Sequence, residues 1–134
     1  MRKFILLAMM IFGIQQVTYA HEGHDKTPGA VSAPHGGVTQ GTNQLYLELV
    51  SEAGGVKIYP LTHDLKPIAA KEVTLKASII FPKQKKVEAI DFTQSNDYFS
   101  AKVNAKGAYR YTLDISVLYK GKKETVTFQV EPQG

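Results

Sequence analysis

The strongest constraint in this 134-residue chain is a two-residue period near its C-terminal end. Tyr109, Tyr111, Leu113, Ile115, Val117 and Tyr119 alternate with Arg110, Thr112, Asp114, Ser116, Leu118 and Lys120. Successive side chains of a strand point to opposite faces, whereas a helix repeats its apolar residues every three to four positions. An alternation of this length therefore specifies a strand with one covered face and one wetter face. Lys120, Gly121 and Lys122 have the composition of a hairpin turn. Val126, Phe128 and Val130 then alternate as the return strand, which Pro132 stops.

The same signature extends back to residue 44. Leu45, Leu47 and Leu49 face one way, and Tyr46 and Glu48 the other. Gly54-Gly55 reads as a turn, after which Val56, Ile58 and Pro60 form a second strand. The segment 63–67 (His-Asp-Leu-Lys-Pro) has turn composition. Val73, Leu75, Ala77, Ile79 and Phe81 alternate with Thr74, Lys76, Ser78 and Ile80. Residues 87–92 form a short strand, Ser95-Asn96-Asp97 a turn, Phe99, Ala101 and Val103 another strand, and 104–107 another turn. About seven strands with no helical crossover predict an all-β, immunoglobulin-like antiparallel β-sandwich, with a small closed barrel as the alternative architecture.

The N-terminal third is different. Arg2 and Lys3 precede an uncharged, mostly apolar run over 4–14, and Thr18-Tyr19-Ala20 offers small residues where a signal peptidase reads. The run is well short of the roughly 20 residues that span a bilayer. A cleaved signal peptide over 1–20 is expected, with export to the periplasm and no stable membrane span after cleavage. Residues 21–43, HEGHDKTPGAVSAPHGGVTQGTN, carry Gly, Pro, Ser, Thr and His without an apolar period. They predict a flexible tail ahead of a sandwich domain over 44–134.

The chemistry open to the chain is narrow. It has no cysteine, and its three methionines (Met1, Met9, Met10) all lie in the signal. Thiolate ligands and thiol catalysis are excluded, and the lack of a thioether in the mature chain disfavours a Met-rich copper(I) site. Imidazole and carboxylate remain. The four histidines are His21, His24, His35 and His63. His21-Glu22-Gly23-His24-Asp25 packs two imidazoles and two carboxylates together, a donor set for Zn²⁺, Cu²⁺ or Ni²⁺. Cleavage after Ala20 would free the α-amine of His21, which with its own Nδ1 closes a chelate ring suited to tetragonal Cu²⁺. The expected ligands are therefore His21, His24 and His35, with Glu22 and Asp25 secondary. His63, beside Asp64, reads as a polar turn residue.

Enzyme signatures are missing. No serine stands in a nucleophile elbow, and the His-Glu-Gly-His spacing of 21–24 is wrong for a zinc-protease helix. The Gly-Gly pairs are not phosphate loops, having no strand–turn–helix unit around them. Two lysine clusters (83, 85, 86 and 120, 122, 123) fall at turns, where solvated hairpin ends account for them. Losing Arg2 and Lys3 leaves fourteen basic against twelve acidic residues, a mild excess spread along the chain. An exported protein with that charge is not expected to bind nucleic acid.

Several stretches resemble known families. Gly55-Val56-Lys57-Ile58-Tyr59-Pro60-Leu61, Leu65-Lys66-Pro67-Ile68 and Val73-Thr74-Leu75-Lys76-Ala77 resemble the opening strands of YtkA-like and FixH-like periplasmic domains. So does the run from Tyr98-Phe99-Ser100-Ala101-Lys102-Val103 through Gly107 and Tyr109 to Phe128-Gln129-Val130. The tail, with His35-Gly36-Gly37-Val38 and Leu45-Tyr46-Leu47-Glu48-Leu49-Val50, is similar to an accessory N-terminal region of periplasmic adaptors of heavy-metal efflux pumps. The resemblance implies an immunoglobulin-type sandwich linked to transition-metal handling. Where YtkA-like domains often carry Met-Pro and Met-Gly-His, this chain reads Ser78-Ile79-Ile80-Phe81-Pro82-Lys83, so metal binding must rest on the tail. The expectation is a non-enzymatic periplasmic protein that binds copper or zinc, for buffering or for delivery to a metal-efflux or metalloenzyme-assembly partner. The alternative is a β-sandwich interaction module that binds a protein through a strand edge, its histidines incidental.

Overall fold

The computed structural model describes residues 32–84 and 86–133. The expected signal peptide and the first part of the tail, with His21, Glu22, His24 and Asp25, lie outside the described residues.

The described chain folds as two antiparallel sheets. Its strands are β1 (Val38–Gly41), β2 (Tyr46–Glu52), β3 (Gly55–Leu61), β4 (Val73–Ile80), β5 (Val87–Ile90), β6 (Thr93–Gln94), β7 (Phe99–Lys102), β8 (Tyr111–Tyr119) and β9 (Lys122–Val130). A single 3₁₀ turn, Ala70–Glu72, precedes β4. One sheet has the order β1-β2-β3-β7-β6 and the other β5-β4-β8-β9. In immunoglobulin terms β2, β3, β7 and β6 take the A, B, E and D places, and β4, β8 and β9 the C, F and G places. β5 extends the second sheet, and β1 extends the first. The sandwich, not the closed barrel, is the architecture.

Alternation builds the core. Leu47 and Leu49 of β2, Val56 and Ile58 of β3, and Phe99 and Ala101 of β7 turn inward from the first sheet. They meet Val73, Ala77 and Ile79 of β4, Tyr111, Leu113, Ile115 and Val117 of β8, and Val126, Phe128 and Val130 of β9. Burying side chains of this size contributes about 1.5–3 kcal/mol each, which lets a domain without disulfides stand on its core. Two-residue hairpins set the register. Tyr119 pairs with Lys122 across Lys120 and Gly121, whose φ values of 50° and 77° are the left-handed conformations that a tight hairpin demands.

The structure adds to the sequence reading at two places. Residues 38–41, assigned to the tail from composition, form β1 and pair with β2 from Val38↔Leu49 to Gly41↔Tyr46. Their Gly and Thr content hides a strand that carries little apolar signal of its own. At the other end, the alternation includes Tyr109, yet the strand begins at Tyr111 and Tyr109 is 82% exposed. A turn closed by the Ala108 N–H donating to the Ala105 carbonyl, with Lys106 and Gly107 at positive φ, occupies the preceding residues.

Candidate functional site

The site begins with an acidic residue where strand geometry predicts a wet surface. Glu48 lies between Leu47 and Leu49 on β2, so its side chain leaves the outer face of the first sheet. Thr39 of β1 stands opposite it on one side and Tyr59 of β3 on the other. Glu48 is nevertheless 0% exposed, because residues 35–37 fold back over it.

Local chemistry shapes that cover. The Gly36 N–H donates to the Ala33 carbonyl at 3.1 Å, and Gly36 adopts φ 74°, which bends the chain just ahead of β1. Gly37 passes so close to β2 that a Cβ there would collide with the Leu49 carbonyl. The bend aims two backbone donors at the Glu48 carboxylate. The His35 N–H lies 2.9 Å from Oε2 and 3.2 Å from Oε1, and the Gly37 N–H lies 2.9 Å from Oε2. Two N–H groups, two residues apart in sequence, thus converge on one anion and form a small concave cradle. The His35 ring completes it, with Nδ1 2.7 Å from Oε1.

The imidazole is held on its face as well as its edge. It stacks on Tyr59 with centroids 3.7 Å apart and planes 11° apart. Tyr59 packs against Tyr98 at 5.4 Å, and the Lys57 ammonium sits 5.0 Å above the Tyr98 ring. Burial holds the Tyr59 phenol above its ordinary pKa, with nearby Lys57 pulling the other way.

Glu48 already accepts two N–H groups and has only acceptor atoms to offer. The hydrogen between it and His35 is therefore assigned to Nδ1. In the neutral ring the lone pair then lies on Nε2, which has no hydrogen-bond partner among the described residues. The side chain is 34% exposed, and with Nδ1 engaged by Glu48 the ring nitrogen left for a ligand is Nε2. A carboxylate behind the far nitrogen is the usual arrangement for a metal-ligating histidine.

Of the ligands expected from sequence, the structure thus places His35 on the outer face of the first sheet. Among the described residues no group of three or more His, Cys, Asp or Glu could hold a metal ion. At this site the described residues provide one oriented imidazole. His63 is held elsewhere: its Nε2 lies 3.2 Å from the Thr42 carbonyl, and its ring meets Tyr46 edge-on at 5.1 Å. That agrees with a turn residue. Lys83, Lys86, Lys120, Lys122 and Lys123 are exposed, as hairpin-end lysines should be.

Sequence reasoning missed Glu48. An outward acidic residue between two inward leucines reads as ordinary solvated strand surface. The only hint was the His-Gly-Gly of 35–37, whose two glycines permit a close pass over a strand. The chain has no matching family model, and searches of curated proteins and of solved structures give no significant match.

Proposed function

We propose that this chain is a non-enzymatic periplasmic protein that binds a divalent transition metal, copper or zinc, and buffers it or passes it to an efflux or metalloenzyme-assembly partner. The observation that carries this reading is His35, an accessible imidazole with its Nδ1 held by Glu48 and its Nε2 open. The donor chemistry fits a borderline divalent ion. His21 and His24 would supply further nitrogens, with Glu22 and Asp25 as oxygen donors.

The test is a titration of Cu²⁺ and Zn²⁺ into the mature chain and into a variant with Ala at 21, 24 and 35. The expected outcome is clear loss of affinity in the variant, and loss of metal from the parent as pH falls, because imidazole ligands must be unprotonated. Affinity no tighter than that of a generic His-bearing peptide, unchanged by the substitutions, would overturn the reading. Mass spectrometry of the exported protein shows whether His21 is the first residue and its amine is available.

A second reading, an interaction module, has one observation in its favour. Phe81, Pro82, Ala105, Ala108 and Tyr109 line a hollow of about 210 Å³ at one end of the second sheet. Tyr109 stands mostly in solvent there, and exposed aromatic side chains are enriched at protein contacts.

A further inference from the structure

We propose that Glu48 is a positioning residue that locks His35 in its Nδ1–H tautomer, so that the metal is taken through Nε2 alone. This rests on the reading of His35 as a ligand given above.

Three observations carry it. The first is the full burial of Glu48 beneath a segment that its own hydrogen bonds hold down. The carboxylate cannot swing away to solvent while residues 35–37 stay docked. The second is that one carboxylate oxygen meets both the Nδ1 and the backbone N–H of His35. Ring and main chain of the same residue are tied to a single acceptor, which restricts rotation about both side-chain torsions. The third is the near-parallel stack on Tyr59, which sets the plane of the ring. Together these define which nitrogen is left for a ligand and the plane in which the ring is held.

The chemical consequence is specific. In a free histidine either nitrogen can hold the proton, and Nδ1 can join a neighbouring backbone amine or amide in a chelate ring. Here the carboxylate occupies Nδ1, so His35 can act only as a one-point ligand through its outer nitrogen. The carboxylate also makes Nε2 a stronger donor by stabilising the positive charge that the ring gains on coordination. Because the ring is already ordered, less rotamer freedom is lost when a metal binds. His35 is thus a fixed anchor onto which other ligands are brought.

The experiment is long-range ¹H–¹⁵N correlation NMR of the mature chain with ¹⁵N-labelled histidine, using Zn²⁺ as a diamagnetic probe. Before Zn²⁺, His35 should show a protonated Nδ1 and an unprotonated Nε2. On addition of Zn²⁺, the coordination shift should fall on Nε2 while Nδ1 keeps its proton. In Glu48→Gln the tautomers should mix, and Zn²⁺ affinity at His35 should drop roughly 10–100-fold. A purely structural role for Glu48 would leave the tautomer signature of a folded Glu48→Gln unmoved. Coordination through Nδ1, or unchanged tautomer and affinity in Glu48→Gln, overturns the positioning role and leaves the metal reading standing. Zn²⁺ that never perturbs His35 in the parent chain overturns both. If Glu48→Gln does not fold, the tautomer and the coordinating nitrogen of the parent chain still decide the outcome.

Discussion

Glu48 and Asp114 hold matching places in the two sheets. Each is an acidic residue on an inner strand, between two buried apolar neighbours, with its side chain on an outer face. Glu48 stands between Thr39 and Tyr59, and Asp114 between Ser78 and Thr127. Their surroundings diverge. Asp114 is partly exposed and accepts one hydrogen bond, from the Thr127 hydroxyl at 2.7 Å. Its face is an ordinary wet strand surface, with Thr112 and Gln129 bonded beside it. Glu48 is out of water altogether and accepts from two backbone N–H groups and an imidazole. The difference lies in what crosses the sheet, not in the strand. A carboxylate under a docked segment becomes an anchor, while one under water remains a surface charge.

The largest expected effect tests that contrast directly. Glu48→Ala removes the shared acceptor of the His35 and Gly37 amides, leaving donors to be rehydrated or stranded. Unsatisfied buried polar groups cost roughly 1–3 kcal/mol each, so urea unfolding should show a loss of about 3 kcal/mol. Asp114→Ala should stay within about 0.5 kcal/mol, as surface substitutions do. Equal losses at the two positions would erase the distinction between the faces. Hydrogen exchange should show the same pattern, with the His35 and Gly37 amides exposed in Glu48→Ala and untouched in Asp114→Ala.

A smaller effect separates the core from both outer faces. Burial pushes the Tyr111 phenol from 10.0 up to about 12. Below pH 10 the phenol is protonated in both folded and unfolded chains, and its contribution is fully present. Between those values the unfolded chain releases the proton while the folded chain keeps it, so stability falls as pH rises. The expected loss is on the order of 2 kcal/mol across that window. It should be largely absent from Tyr111→Phe in urea titrations run at stepped alkaline pH.

The smallest effect sharpens the picture of the covered face. His35→Ala removes the stack on Tyr59 and one hydrogen bond to Glu48, costing about 1 kcal/mol. Because burial is what raises the Tyr59 phenol, uncovering it should bring that pKa back toward the ordinary value. Tyrosine absorbance titration of His35→Ala against a Tyr59→Phe control reads this shift. An unchanged Tyr59 would mean that the strands, and not the His35 ring, desolvate it.

How far the sequence could be read follows the same divide. Strands β2, β3, β4, β8 and β9 were legible because each has an inward face of Leu, Ile, Val or Phe repeating every second residue. β1 and the two-residue β6 were not, since Val38-Thr39-Gln40-Gly41 and Thr93-Gln94 owe their conformation to pairing with a neighbour. His35 was legible as a candidate metal donor from its chemistry alone. Its orientation was not, because that depends on an acceptor thirteen residues away and on a ring on a third strand.

Local pattern by itself determined that this chain is all-β, where most of its turns fall and which residues fill its core, because period and turn chemistry act between near neighbours. The tertiary structure decided the immunoglobulin order of the sheets, the burial of Glu48 and the direction of the His35 ring. Those depend on which segment crosses which face, and only the folded chain brings residues 35, 48 and 59 within bonding distance.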